Sequence, residues 1–218
     1  MPFKFVTSMN GLAWVDLPSV TEEERLNMFG SSTRRNIRAS MRKGLTIVEA
    51  NTPEQVKISY DLFLDNANEK GYSIRNWDDF KKYILDLYKK GSAEFIMAYK
   101  ENECKGAVCL IKAGQRYSYV MGGTKKEKPD LRVGDFLQWY CIQKSMKAKM
   151  SGYDLIFGGS PSVMEFKKSF DPLLLKFISG RHWVFSRFKY GIYTRLYPFM
   201  LRNRMAISSF LRILKSVK

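Results

Sequence analysis

The sequence predicts an α/β (α+β) chain, with a mixed and largely antiparallel sheet flanked by helices and a basic amphipathic helix at the C-terminus. Three observations predict it. The first part carries apolar residues at helical spacing behind recognisable caps; the middle switches to three β-rich runs between short turns; a helical stretch and a further strand then follow. With 218 residues, 45% hydrophobic, only seven prolines, no low-complexity tract and no internal repeat, nearly all of the chain should fold around one core with extensions.

In order, Trp14 to Leu17 reads as a short strand, and Thr21 with Glu24 three residues on forms a capping box that opens a helix. That helix pauses at Gly30. Ser31, Ser32 and Thr33 cap a second helical run, which places Arg34, Arg38 and Arg42 on one stripe and ends at Lys43-Gly44. Three stacked guanidiniums repel unless something anionic lies across them, so the stripe is either an anion site or a solvated face. Leu45 to Glu49 is a strand. Thr52-Pro53-Glu54-Gln55 supplies cap, first-turn proline and box residue for a helix whose apolar positions Val56, Tyr60, Phe63, Leu64 and Ala67 run to Gly71. A third helix begins at Asn76, turns Phe80, Tyr83, Ile84, Leu87 and Tyr88 inward, and stops at Gly91. Ala93 to Tyr99, Gly106 to Lys112 and Tyr117 to Met121 then form an antiparallel meander ended by Gly122-Gly123. A basic loop from Lys125 to Lys128 leads to a long amphipathic helix from Val133 to Met150, a strand from Tyr153 to Phe157, and a turn at Gly158-Gly159-Ser160-Pro161. A short helix from Ser162 to Phe170 and a hairpin of Leu174 to Ile178 with Trp183 to Phe185 complete the body.

From Pro172 to Lys218 there is no Asp or Glu, against ten Lys/Arg and nine aromatics. Its most regular part reads as a helix with Ile207, Phe210, Leu211, Leu214 and Val217 on one face and Arg204, Ser208, Arg212 and Lys215 opposite. Such a helix lies on an anionic membrane surface, lies along nucleic acid, or docks on its own domain. The net charge of +16 implies an anionic partner: tRNA, a nucleotide-linked substrate or a lipid surface. Cys104, Cys109 and Cys141 are odd in number and lack paired spacing, which argues against disulfides and a zinc site and for a reducing compartment. Lys4 is followed by no apolar stretch, and no window approaches the roughly 18 apolar residues of a membrane span, so the expected location is cytoplasmic, with peripheral contact at the inner membrane face.

Conventional catalytic constellations are missing. The single histidine, His182, sits between Arg181 and Trp183 in an expected strand and reads as structural, and Asp78-Asp79 fits a first-turn helix cap. The chemistry therefore rests on positioning and charge stabilisation. Meander, loop, helix and strand in this order resemble the GNAT acyltransferase fold, in which two central strands splay to hold the acyl donor. Members using coenzyme A carry Q/R-x-x-G-x-G/A after the meander. Here Leu131-Arg132-Val133-Gly134-Asp135-Phe136 keeps only a trace of it, and Asp135 would set a carboxylate near the phosphates.

Five segments together resemble the FemAB-type enzymes. They are Val15-Asp16-Leu17-Pro18; Ser31 to Ala39 with Lys43-Gly44-Leu45; Leu131-Arg132 through Leu137-Gln138-Trp139; Tyr153-Asp154 to Phe157-Gly158-Gly159; and Glu165-Phe166-Lys167-Lys168-Ser169-Phe170. FemAB-type enzymes are aminoacyl-tRNA-dependent peptidyltransferases that add bridge amino acids to peptidoglycan precursors. The resemblance runs from about Trp14 to Phe185 and implies a GNAT-like transferase that moves an aminoacyl group from tRNA to an amine of an envelope precursor. In the family's R-F-K segment the lysine assists the transition state or holds the tRNA end; Glu165 replaces that arginine here, while Phe166 and Lys167 match.

The resemblance thus makes Lys167 and Phe166 the candidate catalytic residues, with Arg34, Arg38, Arg42, Arg132, Gln138, Gly158, Gly159 and Lys168 as candidate substrate-binding residues and no metal. Aminoacyl-tRNA enters as co-substrate rather than as a bound cofactor. Typical members have two tandem GNAT-like domains, and this chain has room for one, at 51–186, behind an N-terminal remnant strand and basic helix at 1–50 and before a basic aromatic tail at 187–218. The acceptor is then smaller or different, or a second chain, as in a homodimer, completes the site. Two rival readings stand beside this one: an acyl-CoA-dependent N-acyltransferase acting on an amino sugar or similar amine, and a non-enzymatic basic adaptor for RNA or membrane.

Overall fold

The computed structural model describes residues 11–176, 184–203 and 207. Among the described residues seven strands form one sheet in the order β2-β3-β4-β5-β6-β1-β7, antiparallel throughout except for the parallel pair β5–β6. β1 (Gly11–Asp16) leads into α1 (Glu22–Met28), whose start carries the expected reciprocal box: Thr21 N–H donates to Glu24 Oε2 at 2.7 Å, and Glu24 N–H donates to Thr21 Oγ1 at 3.2 Å. α2 (Ser31–Met41) begins one residue earlier than expected. Gly30 is its N-cap and no side chain caps it.

After β2 (Thr46–Glu49), α3 (Pro53–Glu69) and α4 (Trp77–Lys89) start at their expected caps, Thr52 and Asn76. Tyr83 departs from its inward assignment and is 61% exposed, because α4 packs on β3 and α3 along a narrow face on which only Ile84 is buried. The meander is β3 (Ala93–Lys100), β4 (Glu103–Ala113) and β5 (Arg116–Thr124). β5 runs straight through Gly122-Gly123 instead of ending there. A side chain at Gly123 would lie 2.5 Å from the Leu62 carbonyl oxygen, so the glycine marks where α3 presses on the strand.

α5 (Val133–Lys147) is not amphipathic: Val133, Asp135, Leu137, Gln138, Trp139, Cys141, Ile142 and Ser145 are all buried, since α2 covers the side of the helix that the sheet does not. β6 (Gly152–Asp154) is shorter than expected, and α6 (Pro161–Lys168) is capped by Ser160. β7 (Leu173–Lys176) pairs with β1 across Leu12↔Leu175. Trp183 and His182, in the other limb of the expected hairpin, lie outside the described residues, as does the apolar face from Phe210 to Val217. The sequence did not single out α7 (Arg187–Arg202), which forms a 16-residue helix around Pro198.

Alternation along the meander divides the core. Ile96, Ala98, Val108 and Leu110 face α1, α2 and α5 with Leu26, Phe29, Ile37 and Leu137, while Phe95, Met97, Ala107 and Cys109 face α3 and α4 with Val56, Phe63 and Ile84. The strands β1 and β2, from the segment before residue 51, belong to this same sheet. No helix among the described residues is long and apolar enough to cross a membrane.

Candidate functional site

The site exists because two adjacent strands separate. β5 and β6 pair only at Arg116↔Gly152, Tyr117↔Tyr153 and Ser118↔Asp154, after which β6 ends while β5 continues to Thr124. Val120 has no cross-strand partner, since Cys109 pairs with Met121 and Leu110 with Tyr119; this bulge bends β5 away just where the gap opens. The resulting cleft of about 240 Å³ is lined by Tyr119, Gly122 and Thr124 of β5, Gly134, Leu137 and Gln138 of α5, Asn66 and Lys70 at the end of α3, and Val163, Phe166 and Lys167 of α6.

Lys167 is buried at 6% exposure, and its ammonium is held from behind. Nζ donates to the carbonyl oxygens of Ile156 at 2.7 Å and Gly158 at 2.9 Å, and it lies 5.8 Å from the centre of the Tyr119 ring. Those carbonyls are aimed by a backbone that turns through left-handed conformations at Ile156 (φ 55°), Gly158 (φ 117°) and Gly159 (φ 123°); the last two are open to glycine almost alone. Asp154 steadies the turn by accepting from Ile156 N–H at 2.8 Å. Burial lowers the Lys167 pKa from its ordinary value, and the nearby Asp154 charge partly offsets that. An ammonium has three donors. Two are committed to carbonyls, which leaves one for a group in the cleft.

Phe166 orders the floor. Its ring stands edge-on to Phe170 at 5.3 Å, Phe170 meets Phe29 at 5.8 Å, and a Cβ on Gly134 would touch the Phe166 ring at 3.4 Å, so α6 closes directly over the start of α5. Gln138 is buried with its Oε1 accepting from the Tyr153 hydroxyl at 2.6 Å. The start of α5 has Arg132 at its N-cap in a left-handed conformation (φ 58°) and no bond from the N-cap side chain, so the backbone N–H groups of Val133 and Gly134 remain for an anion. Asp135 is buried, accepts hydrogen bonds from its own backbone N–H and from Asn36 of α2, and has its pKa raised by burial; it is not among the residues that line the cleft.

Of the residues singled out from sequence, Lys167, Phe166 and Gln138 line the cleft, Gly158 stands behind Lys167 as its acceptor, and Gly159 packs against Val163. The arginine stripe does not join them. Arg34 donates to the carbonyls of Asn27 and Phe29, Arg38 pairs with Glu23 at 2.8 Å, and Arg42 is the C-cap of α2, so α2 spends two of its cations stitching itself to α1. The basic loop is largely neutralised as well: Lys125 pairs with Glu103 at 2.7 Å and Lys126 with Glu69. Arg132 pairs with Asp130 at 3.2 Å, and Lys168 is exposed on the last turn of α6. Tyr119, Asn66 and Lys70 were missed. Only the Gly122-Gly123 pair hinted at them, since it lets α3 approach β5 closely.

A family model described as an acetyltransferase (GNAT) domain matches residues 31–168, which hold the meander, the splayed strands, α5 and Lys167. Solved structures with similar folds include FemX, 14% identical with a TM-score of 0.73 over 86% of this chain and 64% of the FemX chain. The L-PGS of Bacillus licheniformis is 12% identical, with a TM-score of 0.55 over 93% of this chain and 68% of that one. An aminoglycoside acetyltransferase from an uncultured soil metagenomic sample, in complex with trehalose, is 13% identical with a TM-score of 0.52 over 67% of this chain and 99% of that one. This chain thus spans less than two thirds of the FemX chain. No curated protein matches the sequence. Sheet order, strand splay and the matched residues together make the chain a member of the acetyltransferase (GNAT) domain family.

Proposed function

We propose that this acyltransferase moves an aminoacyl group from aminoacyl-tRNA to an amine of a cell-envelope precursor or a related small acceptor, forming an amide. The observation that carries the reading is the buried Lys167 ammonium, held by two backbone carbonyls with one donor left for the cleft. An aminoacyl ester is already activated. The acceptor nitrogen attacks the ester carbonyl, a C–N bond forms, and negative charge collects on the carbonyl oxygen. The C–O bond to the ribose then breaks, and the proton lost by nitrogen ends on the ribose oxygen. A fixed cation stabilises the oxyanion in a site sheltered by Phe166 and Tyr119, and that is the assistance this reaction most needs. The FemAB-type resemblance of the Phe166-Lys167 segment and the fold shared with FemX support this choice of donor.

The uncapped start of α5 favours a second reading, transfer from an acyl-CoA. Val133 and Gly134 would hold the pyrophosphate by backbone N–H, and coenzyme A would supply the acyl thioester. Incubating the protein separately with charged tRNA and with acetyl-CoA, against a panel of amines, distinguishes the two by product mass. The expected result is an acceptor heavier by one aminoacyl residue with charged tRNA alone. An acetylated product from acetyl-CoA, with none from charged tRNA, overturns the aminoacyl reading in favour of the second.

A further inference from the structure

α7 is anomalous for a helix of a folded domain: among its described side chains none is buried, and Phe188, Ile192, Tyr193, Leu196, Tyr197, Phe199 and Met200 are all exposed, Phe188 by 79% and Phe199 by 62%. At 100° per residue its arginines, apolar residues and tyrosines fall on successive arcs, with Lys189 the one cation inside the apolar arc. Arg187, Arg195 and Arg202 share one narrow stripe with the small or polar Gly191, Thr194 and Pro198. Phe188, Phe199, Ile192, Leu196 and Met200 follow on the adjoining arc, with Phe188 next to Arg195 and with Lys189 among the apolar side chains, and Tyr190, Tyr193 and Tyr197 lie beyond them, the rings of Tyr193 and Tyr197 in contact at 5.2 Å. No acid occurs anywhere from Pro172 to Lys218.

We infer that α7 is a binding surface for an anionic lipid bilayer and lies in the plane of its headgroups, which deepens the proposed function by placing the catalytic cleft beside a membrane-borne acceptor. Three features select this partner. The apolar side is broad and aromatic, as burial at the level of the upper acyl chains requires, while the helix is too short and too basic to span. Tyrosines at the boundary between the two sides suit the headgroup layer, where a ring is half-solvated. Charge decides between bilayer and protein: a second copy of α7 would bring two acid-free basic helices together, whereas an anionic surface complements them. RNA would engage the arginine stripe and leave the phenylalanines in water.

The full-length protein is sedimented with vesicles of phosphatidylglycerol and phosphatidylcholine in equal parts, and with vesicles of phosphatidylcholine alone. The expected result is pelleting with the anionic vesicles and little with the neutral ones. The double variant Ile192→Asp/Leu196→Asp, which touches only exposed side chains, should keep its circular dichroism and melting temperature and lose pelleting. Arg195→Gln/Arg202→Gln should weaken partitioning by roughly 25-fold, since each basic residue at an anionic surface contributes roughly fivefold, the equivalent of about 1 kcal/mol. Intact protein that ignores both vesicle types overturns the inference. So does pelleting that survives Ile192→Asp/Leu196→Asp, a dimer in solution that this variant abolishes, or RNA binding that Arg195→Gln/Arg202→Gln abolishes without any vesicle binding. Transfer to a water-soluble amine, measured without vesicles, reads the catalytic cleft alone, so failure of α7 to bind lipid and failure of the proposed chemistry are separate outcomes.

Discussion

The Lys167 ammonium hydrogen-bonds two carbonyls and, in the proposed reaction, a transient oxyanion. Lys167→Met keeps the apolar stem and removes the charge. It should lower turnover on the order of 100- to 1,000-fold in single-turnover assays while leaving a cooperative melt, because one charge-stabilising donor is lost and no large void opens. An unchanged single-turnover rate would remove Lys167 from the chemistry. The pH dependence follows from burial, which sets the folded pKa of Lys167 below the ordinary 10.5. The rate should therefore fall as pH rises through that lowered value, and the variant's residual rate should lack this alkaline limb. Stability has the opposite sign. Between the folded and unfolded pKa values the unfolded chain binds more protons at this residue, so its contribution to stability rises with pH across that window, an increment absent in Lys167→Met. The Gly122-Gly123 pair separates space from flexibility. Gly123→Ala drives a methyl into the Leu62 backbone and should cost about 1–3 kcal/mol in denaturant unfolding, whereas Gly122→Ala meets only the Tyr119 ring, which can turn, and should disturb the cleft more than the fold.

Among the elements, α5 positions Gly134 and Gln138 and is itself pinned at its far end. Lys144 Nζ lies 2.7 Å from Glu49 of β2 and 2.9 Å from Glu94 of β3; the Tyr140 hydroxyl donates to Glu49 at 2.8 Å and the Tyr117 hydroxyl to Glu94 at 2.7 Å. Burial pushes Tyr117 and Tyr140 up to about 12, reinforced by these carboxylates. Burial alone would raise the Glu49 pKa as well, but hydrogen bonds from Lys144 and Tyr140 outweigh it and hold it below the usual value. Lys144→Met should cost about 2 kcal/mol, less than the 3–5 typical of a fully buried pair because Glu49 is half exposed. The Glu49 part of that stabilisation is present above its unfolded pKa and is lost as pH falls through the folded value, so the gap between wild type and variant melts should narrow in acid; a constant gap would place the cost in packing. Such ties also mark where sequence reading stops. Helix starts were legible because Thr21 with Glu24, Thr52 with Pro53, and Asn76 carry their signal within four residues. The partners of Arg34, Arg38, Asp135 and Lys144 come from other elements. The arginine stripe reads from sequence as an anion site or a solvated face, and its role as a clamp emerges only when α1 is seen to lie against α2 with Glu23 and two acceptor carbonyls.

For the whole molecule, the meander could be read from alternation and turns, but the parallel pairing of β5 with β6, the insertion of β1 between β6 and β7, and the splay that makes the cleft depend on contacts between distant segments that no local pattern encodes. Charge shows the same division. The excess of 37 Lys/Arg over 21 Asp/Glu suggests a strongly basic body, yet ten of those cations lie beyond Pro172 with no acid among them, and the loop and helix cations near the cleft are mostly ion-paired. Lys70 lines the cleft, and Lys70, Lys128 of the basic loop and Lys168 of α6 have no ion pair among the described residues. In the proposed reaction a charged tRNA whose acceptor end enters the cleft would meet about two or three of them. Each phosphate contact contributes about 0.7 to 0.9 to the slope of log affinity against log salt, so the body of the protein should contribute a slope of about −2 rather than the much steeper value its net charge suggests. Lys70→Gln/Lys128→Gln should then flatten the slope for charged tRNA by roughly 1.5, with little effect on vesicle binding. Arg195→Gln/Arg202→Gln should do the reverse. Filter binding of charged tRNA between low and physiological salt, run on both double variants, checks this: a slope that responds only to the α7 substitutions would mean that the nucleic acid lies along the helix assigned here to the membrane, with the cleft reading only the aminoacyl end.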